Sequence, residues 1–436
     1  MRYLIIGNSA AGIFAAETIR GLDPQGRITM ISKENTVPYS RCLTSYYLGR
    51  EIPVERMYIR NTDFYEALGI EFLGDTAVQV EAGERRVLTQ SGRVVPYDKL
   101  LIATGAAPVR PPLEGMDMEG VFQLRTLEDA QAIVRYAEED RREEESGDAE
   151  QETERVQEVV VIGAGLVGLK AAHGLHERGL KVTVVEFADQ IMPQSLDTTA
   201  AQIIQRVLES HGYRLILQEK VVKIQGRPST YGRQAVSGVV LSSGERISCR
   251  MVVMAVGVRP ETGLVAGSSM AVKQGIIVNE RMETSLQDVY AAGDVAEGYD
   301  FLWESLRINA LWPVATSQGV VAGCNMTGLK RVHEGSMSLN SADFYGVGVI
   351  SAGILHPREE HEQVLNFLEP RMNQYRRLVL REGRLVGMLI VGEVRGAGVL
   401  TGLIRKKAKV GETVMEWLKG SGGHPAYVPG RERGEV

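Results

Sequence analysis

The sequence predicts an α/β protein with two dinucleotide-binding units, and three observations support this. A glycine-rich turn ends an apolar run at residues 3–12 (YLIIGNSAAG), and a second turn ends one at 159–168 (VVVIGAGLVG). A helical stretch is expected after each turn, at 13–20 and at 169–178. This order of strand, glycine turn and helix lets the backbone approach a pyrophosphate at a helix N-terminus. Two such units in one chain indicate that two dinucleotides bind.

The second turn has the complete fingerprint. Its three glycines supply the tight turn, the close pyrophosphate approach and the close helix packing. The residues of this turn expected to contact the nucleotide are Gly163, Gly165, Leu166, Val167 and Gly168. The next strand, LKVTVVE, ends at Glu186, and no arginine follows at once. A carboxylate at this place binds a ribose 2′-hydroxyl and repels a 2′-phosphate, so NADH is favoured over NADPH.

The first turn departs from this pattern at its middle glycine. The residues of this turn expected to contact a cofactor are Gly7, Asn8, Ser9, Ala10, Ala11 and Gly12. Its second strand, RITMIS, ends at Ser32 rather than at an acid, and Lys33 follows. Either Ser32 or Glu34, two residues further on, is the expected partner of a ribose hydroxyl.

Composition and charge are those of an ordinary globular chain. Of its residues, 44% are hydrophobic and 24% are charged. Its length of 436 residues is enough for roughly three domains. A net charge of -6 and the absence of a basic patch argue against a nucleic-acid partner. Ten acidic and three basic residues fall at 138–155, which indicates a solvated helix extension or linker.

The chain is expected to be cytoplasmic. Its apolar runs fall short of the ~20 residues that cross a bilayer. A signal peptide is rejected because cleavage would remove the first glycine turn. The three cysteines, Cys42, Cys249 and Cys324, show neither metal-ligand spacing nor a CxxC pair, so no metal is expected and a reducing compartment fits.

Four further segments give the chain a family resemblance. They are YDKLLIATGAAP (97–108), MVVMAVGVRPET (251–262), DVYAAGDVAEG (288–298) and WPVATSQG (312–319). Together with the two turns they resemble the motifs of FAD-dependent pyridine nucleotide-disulfide oxidoreductases over nearly the whole chain. Within that family, CoA-disulfide reductases and NADH oxidases, rubredoxin and ferredoxin reductases, and the flavin part of nitrite reductases are the closest likenesses.

The resemblance implies FAD as the first cofactor and NADH as the second. It implies that Thr104 and Gly105 end a strand against FAD, that Asp294 bonds the ribitol chain and that Arg125 touches FAD. The backbone near Trp312 would face the flavin ring, and Gly257 lies in one of the shared motifs. Gly293 would let the backbone come close, while the carboxylate of Asp294 offers acceptors to a sugar alcohol.

The expected fold is two Rossmann-like domains, one for FAD and one for NAD(P), with a small C-terminal α+β dimerisation domain. The predicted ranges are 1–115 and 251–330 for FAD, 116–250 for NAD(P)H and 331–436 for the C-terminal domain with a flexible tail. In the last range, residues 375–392 read as two apolar strands joined at Glu382-Gly383, followed by a helix at roughly 396–409. This apolar hairpin, with the family likeness, predicts a homodimer.

Cys42 is the candidate catalytic residue. It lies in VPYSRCLTSYYLG, before a predicted short helix and beside Arg41, and both features lower the pKa of a thiol. The segment resembles the single-cysteine active site of CoA-disulfide reductases and NADH peroxidases. It equally resembles a rubredoxin reductase loop in which Arg41 contacts flavin and position 42 has no redox role. A small buried hydrophobe is the other interpretation of Cys42.

Other residues of this chain depart from related enzymes. Ala10 and Ala11 occupy the region where peroxidases carry a histidine, so a dedicated peroxidase is disfavoured. His424, in the glycine-rich tail, is no counterpart of the histidine of dithiol enzymes. Cys249 and Cys324 are expected to be packing residues.

The predicted function is an FAD-dependent reductase that oxidises NADH. Hydride would pass from NADH to FAD, and electrons would leave through Cys42 to a disulfide, persulfide or polysulfide. One alternative is direct transfer from flavin to an iron–sulfur or rubredoxin-type protein, or to oxygen. Another is an interaction subunit that binds FAD and NAD without turnover.

Overall fold

The computed structural model describes residues 1–142, 158–228, 234–357 and 362–418. Most of the acidic run, and the tail with His424, lie outside these ranges. The described chain falls into two compact units. Unit 1 comprises Met1–Gly163, Val167–Val185 and Lys220–Ser336, and unit 2 comprises Ala164–Leu166, Glu186–Glu219 and Met337–Val436. The three-domain division stays a prediction.

The described residues form the following helices and strands, each type given in chain order. The helices are α1 (Ala10–Leu22), α2 (Thr44–Leu48), α3 (Phe64–Ala67), α4 (Leu127–Arg142), α5 (Leu166–Glu177), α6 (Thr198–Ser210), α7 (Trp312–Met326), α8 (Ala397–Arg405) and α9 (Glu412–Leu418). The strands are β1 (Arg2–Ile6), β2 (Arg27–Ser32), β3 (Ile70–Gly74), β4 (Ala77–Glu81), β5 (Arg86–Thr89), β6 (Val94–Pro96), β7 (Lys99–Ile102), β8 (Ala106–Pro108), β9 (Val121–Gln123), β10 (Glu158–Ile162), β11 (Lys181–Val185), β12 (Arg214–Ile216), β13 (Val221–Pro228), β14 (Gln234–Leu241), β15 (Arg246–Ser248), β16 (Met251–Met254), β17 (Val258–Pro260), β18 (Ile276–Ile277), β19 (Val289–Ala291), β20 (Ala296–Asp300), β21 (Ser305–Arg307), β22 (Leu339–Phe344), β23 (Val347–Gly353), β24 (Glu362–Glu369), β25 (Gln374–Arg381) and β26 (Arg384–Gly392).

Unit 1 contains two parallel arrangements of strands. The first is a five-stranded sheet in the order β19-β7-β1-β2-β3, whose neighbouring strands are all parallel. The second has the parallel order β11-β10-β16-β9. Strands β1, β7 and β10 are almost wholly buried, which fits Val/Ile-rich strands covered on both faces. The predicted α/β class is confirmed.

Both helices that follow a glycine turn begin earlier than the sequence predicts. Helix α1 begins at Ala10 rather than at residue 13, and α5 begins at Leu166 rather than at residue 169. The N–H of Ile13 already donates to the carbonyl of Ser9 at 3.0 Å. The last residues of the turn are therefore the first turn of the helix, whose N–H groups have no partner within the helix.

Helices α1 and α7 pack with their backbones in close contact. A Cβ placed on Gly319 of α7 would lie 2.2 Å from the carbonyl oxygen of Ala11, and one on Gly323 would lie 2.9 Å from that of Ala15. Only glycine fits this approach, because a Cβ almost never comes within 3.0 Å of such an atom. The contact fixes α7 against the helix that follows the first glycine turn.

Unit 2 contains an antiparallel sheet in the order β22-β23-β26-β25-β24. The predicted hairpin is confirmed, since β25 ends at Arg381 and β26 begins at Arg384. The hairpin supplies inner strands, and β26 is almost wholly buried within the unit. Its apolar residues are therefore already covered, which removes one argument for a dimer. Helix α8 ends at Arg405, before the expected end.

Two further findings concern the described residues alone. Their helices include none with the length and apolar character that a bilayer crossing requires. Among the same residues, His, Cys, Asp and Glu side chains form no group of three that could hold a metal ion.

We expect Gly319→Ala to lower the free energy of unfolding by about 1–3 kcal/mol, because the added methyl group overlaps the α1 backbone. Retention of FAD should fall with it. The measurement is thermal unfolding together with the FAD content of the purified protein. Gly21→Ala is the matched control: Gly21 lies in α1, the helix against which Gly319 packs, and a Cβ there meets nothing within 4 Å. Equal stability of both variants would contradict the packing argument.

Candidate active site

A cavity of about 610 Å³ lies within unit 1. Residues from the first glycine turn, the end of β2, the segment before α2, the end of β7 and the start of α7 line it. The predicted site residues among them are Gly7, Asn8, Ser9, Ala10, Ala11, Ser32, Lys33, Arg41, Cys42, Thr104, Gly105, Arg125, Gly293, Asp294 and Trp312. Segments far apart in sequence thus meet at one cavity, as a single large cofactor requires.

The first glycine turn has the geometry of a pyrophosphate site although Ser9 replaces its middle glycine. Gly7 has φ +113°, and a Cβ there would lie 2.2 Å from the carbonyl oxygen of Ala103. Gly12 does not line the cavity but packs against Gly7, where a Cβ would lie 1.9 Å from the Gly7 oxygen. Ser9 is the N-cap of α1 and makes no capping bond with its side chain. The first N–H groups of α1 therefore stay available for an anion.

The end of the cavity near Ser32 and Glu34 is organised by Asn8, which is buried. Its Nδ2 donates to the carbonyl oxygens of Glu34 and Thr36 at 3.2 Å each, and its Oδ1 accepts the Ser32 hydroxyl at 2.9 Å. The N–H of Glu34 donates to the Ser32 hydroxyl at 3.2 Å. Ser32 and Glu34 both line the cavity, so either remains a candidate for the ribose.

Arg41 is held by three acceptors of the protein itself. Its guanidinium forms an ion pair with Glu34 and donates to the Tyr39 hydroxyl at 3.2 Å. It also donates to the carbonyl of Arg125 at 3.3 Å. The Tyr39 hydroxyl in turn donates to Glu34 at 2.5 Å and accepts the N–H of Leu127 at 3.0 Å. Burial raises the pKa of Tyr39, so this hydroxyl stays protonated.

The prediction of a lowered pKa at Cys42 is wrong for the described structure. Burial of its thiol within the cavity wall raises the pKa, although the residue as a whole is exposed. A hydrogen bond with Ser40 lowers the pKa, Asp294 raises it and Arg125 lowers it, and burial prevails. The charge of Arg41 is compensated by Glu34, and the following helix, α2, has only five residues. Neither expected source of stabilisation therefore dominates at the thiol.

Arg125 and Asp294 form an ion pair at 2.9 Å on the cavity wall. The backbone of Arg125 is fixed because its N–H and that of Thr126 donate to Asp129 at 3.0 and 2.8 Å. Thr126 and Asp129 form a capping box at the start of α4, a signal that was present in the sequence. The pair places one donor group and one acceptor group where a polyhydroxyl chain could bind.

Helix α7 begins at the cavity with its first N–H groups uncapped by side chains. Ala310, Trp312 and Ala315 line the cavity around this helix start. Gly293 has φ +81°, and its N–H donates to Gln318 at 2.8 Å. The positive end of a helix dipole thus faces the cavity at α7 as well as at α1.

The second glycine turn repeats the close contacts of the first. In unit 1, a Cβ on Gly163 would lie 2.4 Å from the carbonyl oxygen of Ala255, and one on Gly168 would lie 1.9 Å from that of Gly163. In unit 2, Glu186 accepts the N–H of Ala164 at 2.6 Å. None of the described residues Gly163, Gly165, Leu166, Val167, Gly168, Glu186 and Gly257 lines the cavity.

Several residues of the site were missed or only partly understood from the sequence. Tyr39, Asp129 and Gln318 hold cavity residues in place, as described above. The hydroxyl of Thr104 donates a hydrogen bond to the carbonyl of Glu261 at 2.8 Å, so this side chain binds another part of the protein's own backbone. Cys249 and Cys324 are buried, as expected of packing residues, and burial raises the pKa of Cys249 to about 12.

Comparison with known proteins settles the family. Residues 1–319 match the family model described as pyridine nucleotide-disulphide oxidoreductase. The chain belongs to this family. Residues 339–408 match the C-terminal domain of rubredoxin NAD+ reductase. The protein is therefore an enzyme, a flavoprotein oxidoreductase dependent on NAD(P)H, with FAD and NADH as the cofactors of its family.

Three similar proteins illustrate the range of the family. The chain is 36% identical over 338 residues to an NADH oxidase of Methanocaldococcus jannaschii, covering 76% of this chain and 71% of that protein. It is 31% identical over 409 residues to the epsilon subunit of the NADH-dependent phenylglyoxylate dehydrogenase of Aromatoleum evansii, covering 93% and 92%. An NAD-dependent persulfide reductase from A. fulgidus has a similar structure, with a TM-score of 0.82, 27% identity, and coverage of 94% and 77%. The chain spans 48% of the length of a related Bacillus subtilis nitrite reductase.

We expect Cys42 in the FAD-free protein to react with an alkylating agent at a higher midpoint pH than glutathione does. The reason is that burial raises the pKa of the thiol, so less thiolate is present near neutral pH. The measurement is the alkylation rate against pH, with modification at Cys42 read by mass spectrometry. The buried Cys249 serves as a slow internal reference. A midpoint below that of glutathione would show that the thiolate is stabilised after all.

Proposed function

We propose that the protein is an NADH-dependent reductase that passes electrons from its flavin directly to a redox protein of the iron–sulfur or rubredoxin type. Bound FAD would accept a hydride from NADH and release the electrons to the partner. The first glycine turn and the two helix starts would bind the anionic and flavin parts of FAD. The second turn and Glu186 would bind NADH.

The observation that carries this choice of acceptor is the pairing of Arg41 with Glu34. A thiol that relays electrons to a disulfide must act as a thiolate. The adjacent cation is committed to a carboxylate, and burial raises the pKa of the Cys42 thiol. Both observations support an acceptor that takes electrons from the flavin without a Cys42 thiolate.

The likeness to a subunit of a larger enzyme supports the same choice. The A. evansii relative is named as the epsilon subunit of a dehydrogenase, and the two chains match over nearly their whole lengths. A chain that forms one subunit of such an enzyme would have a protein as its partner. The match of residues 339–408 to a rubredoxin reductase domain also supports a protein partner.

A second candidate function is reduction of a disulfide, persulfide or polysulfide through Cys42. One specific observation favours it, namely that Cys42 lies on the wall of the FAD cavity. The similarity to a persulfide reductase is consistent with it. In this case FAD binding itself would have to lower the pKa of the thiol.

The variant Cys42→Ser separates the two candidates. We expect it to keep the wild-type rate of NADH-dependent rubredoxin or ferredoxin reduction, because electrons leave the flavin without the thiol. Reduction of that partner is measured by its absorbance, with persulfide and disulfide acceptors assayed in parallel. Cys324→Ala, which removes a buried thiol in α7, is the control. If Cys42→Ser loses activity by orders of magnitude with the thiol acceptors, while the wild type reduces no redox protein, the second candidate is correct.

We expect the wild type to prefer NADH to NADPH and Glu186→Ala to weaken that preference roughly fivefold, the effect of removing about 1 kcal/mol of charge repulsion. The ratio of kcat/KM for the two nucleotides is the measurement. Asp189→Ala is the matched control, since Asp189 is an exposed carboxylate three residues further on. A wild type that prefers NADPH would refute the role of Glu186.

We also propose that the protein is a homodimer. The exposed apolar side chains of Leu368, in the edge strand β24 of unit 2, and Met372, just after it, are 47% and 64% accessible and would be covered in a dimer. Light scattering at micromolar concentration should give twice the chain mass. Leu368→Glu should shift the protein toward monomer, and a wild type that is only monomeric would refute the proposal.

A further inference from the structure

The residues proposed to bind the NADH ribose belong to the same compact unit as the C-terminal sheet. Unit 2 joins residues Ala164–Leu166 of the second glycine turn and the segment Glu186–Glu219 to Met337–Val436. Glu186 and the N–H of Ala164 that it accepts are both in this unit. The C-terminal sheet is therefore placed to influence them through contacts within one unit.

Asp197 makes a polar contact between this segment and the sheet through two residues of β25. Its side chain is buried, with 8% of the residue exposed. One oxygen caps α6 by accepting the N–H of Ala200 at 3.0 Å. The other accepts the Tyr375 hydroxyl at 2.6 Å and the Arg377 guanidinium at 3.2 Å, both from β25. A buried carboxylate with this many partners resists displacement, because any change leaves a charge without compensation.

A short path of backbone hydrogen bonds leads from Asp197 to the glycine turn. The N–H of Leu196, the preceding residue, donates to the carbonyl of Met192 at 2.9 Å. The N–H of Met192 donates to the carbonyl of Ala164 at 2.9 Å, and the N–H of Ala164 donates to Glu186. Met192 is buried and has φ +46°, a conformation that persists only when its surroundings impose it.

We propose that Tyr375 and Arg377, acting through Asp197, are positioning residues for NADH. They hold the 192–197 loop from the C-terminal sheet, and the loop holds the Ala164 turn and Glu186 where the ribose binds. The C-terminal sheet thereby sets the affinity for NADH in addition to any role in assembly. The inference rests on the proposed role of the second turn and Glu186 in NADH binding.

The far end of α6 offers a matched control contact. There the ring of Tyr345, from the turn between β22 and β23, stacks on His211 with centroids 3.7 Å apart. Its hydroxyl also shares a hydrogen bond of 2.8 Å with Tyr213. This contact ties the same helix to the same sheet, but at the opposite end from the glycine turn. Loss of its hydrogen bond tests general stability without touching the path to Ala164.

The test compares Tyr375→Phe with Tyr345→Phe in the FAD-loaded enzyme. Each substitution removes one hydroxyl. We expect Tyr375→Phe to raise the Kd for NADH about fivefold or more, the usual lower range of coupling between sites. Its rate of flavin reduction at saturating NADH and its FAD content should stay at the wild-type level. Tyr345→Phe should leave the Kd for NADH unchanged, even if it lowers the melting temperature as much. An unchanged Kd in Tyr375→Phe overturns the proposal.

A double-variant cycle distinguishes this inference from the assignment of Glu186. If Tyr375 acts through Glu186, the double variant Glu186→Ala with Tyr375→Phe should bind NADH no more weakly than Glu186→Ala alone. Fully additive losses would overturn the path through Glu186. If Glu186→Ala alone leaves NADH binding unchanged, the ribose assignment fails, and the Kd of Tyr375→Phe decides separately whether the loop positions the turn.

Discussion

The backbone contact between α1 and α7 is the constraint on which the cavity depends. Gly319 and Gly323 let α7 approach the carbonyl oxygens of α1 more closely than any side chain would permit. This packing places the start of α7 at the same cavity as the first glycine turn. Two positive helix ends, separated by some 300 residues of sequence, then face one cavity. A phosphate-rich flavin cofactor is the ligand that this arrangement suits.

The charges on the cavity wall determine what a bound flavin could do there. Glu34 neutralises Arg41, and Asp294 neutralises Arg125, so the charges of these two arginines are compensated within the protein. The Cys42 thiol lies on this wall with a raised pKa. The electron transfer proposed above, from the flavin directly to a partner, needs no thiolate, whereas transfer through Cys42 needs one. The family contains enzymes of both kinds, so the choice of electron acceptor is argued from these local contacts and not from the shared fold.

Much of the fold and part of the site could be predicted from the sequence because the signals are local. The glycine turns, the parallel strands and the hairpin at Glu382-Gly383 each depend on a few adjacent residues. The pKa of Cys42 could not be predicted in the same way, since it depends on which acceptor captures Arg41. The contact of Asp197 with Tyr375 joins residues that only the folded chain brings together. Burial and pairing of charges are tertiary properties, and no local pattern encodes them.

The most direct test of this account is an experimental structure of the protein with FAD bound. The account predicts the pyrophosphate within hydrogen-bonding distance of the N–H groups of Ala10 and Ala11, at the start of α1. It predicts the flavin ring between Cys42 and the start of α7 at Trp312, with Arg41 still paired to Glu34. The account would be contradicted if the FAD pyrophosphate lay at the second glycine turn. It would also be contradicted if Arg41 had turned from Glu34 to the Cys42 sulfur.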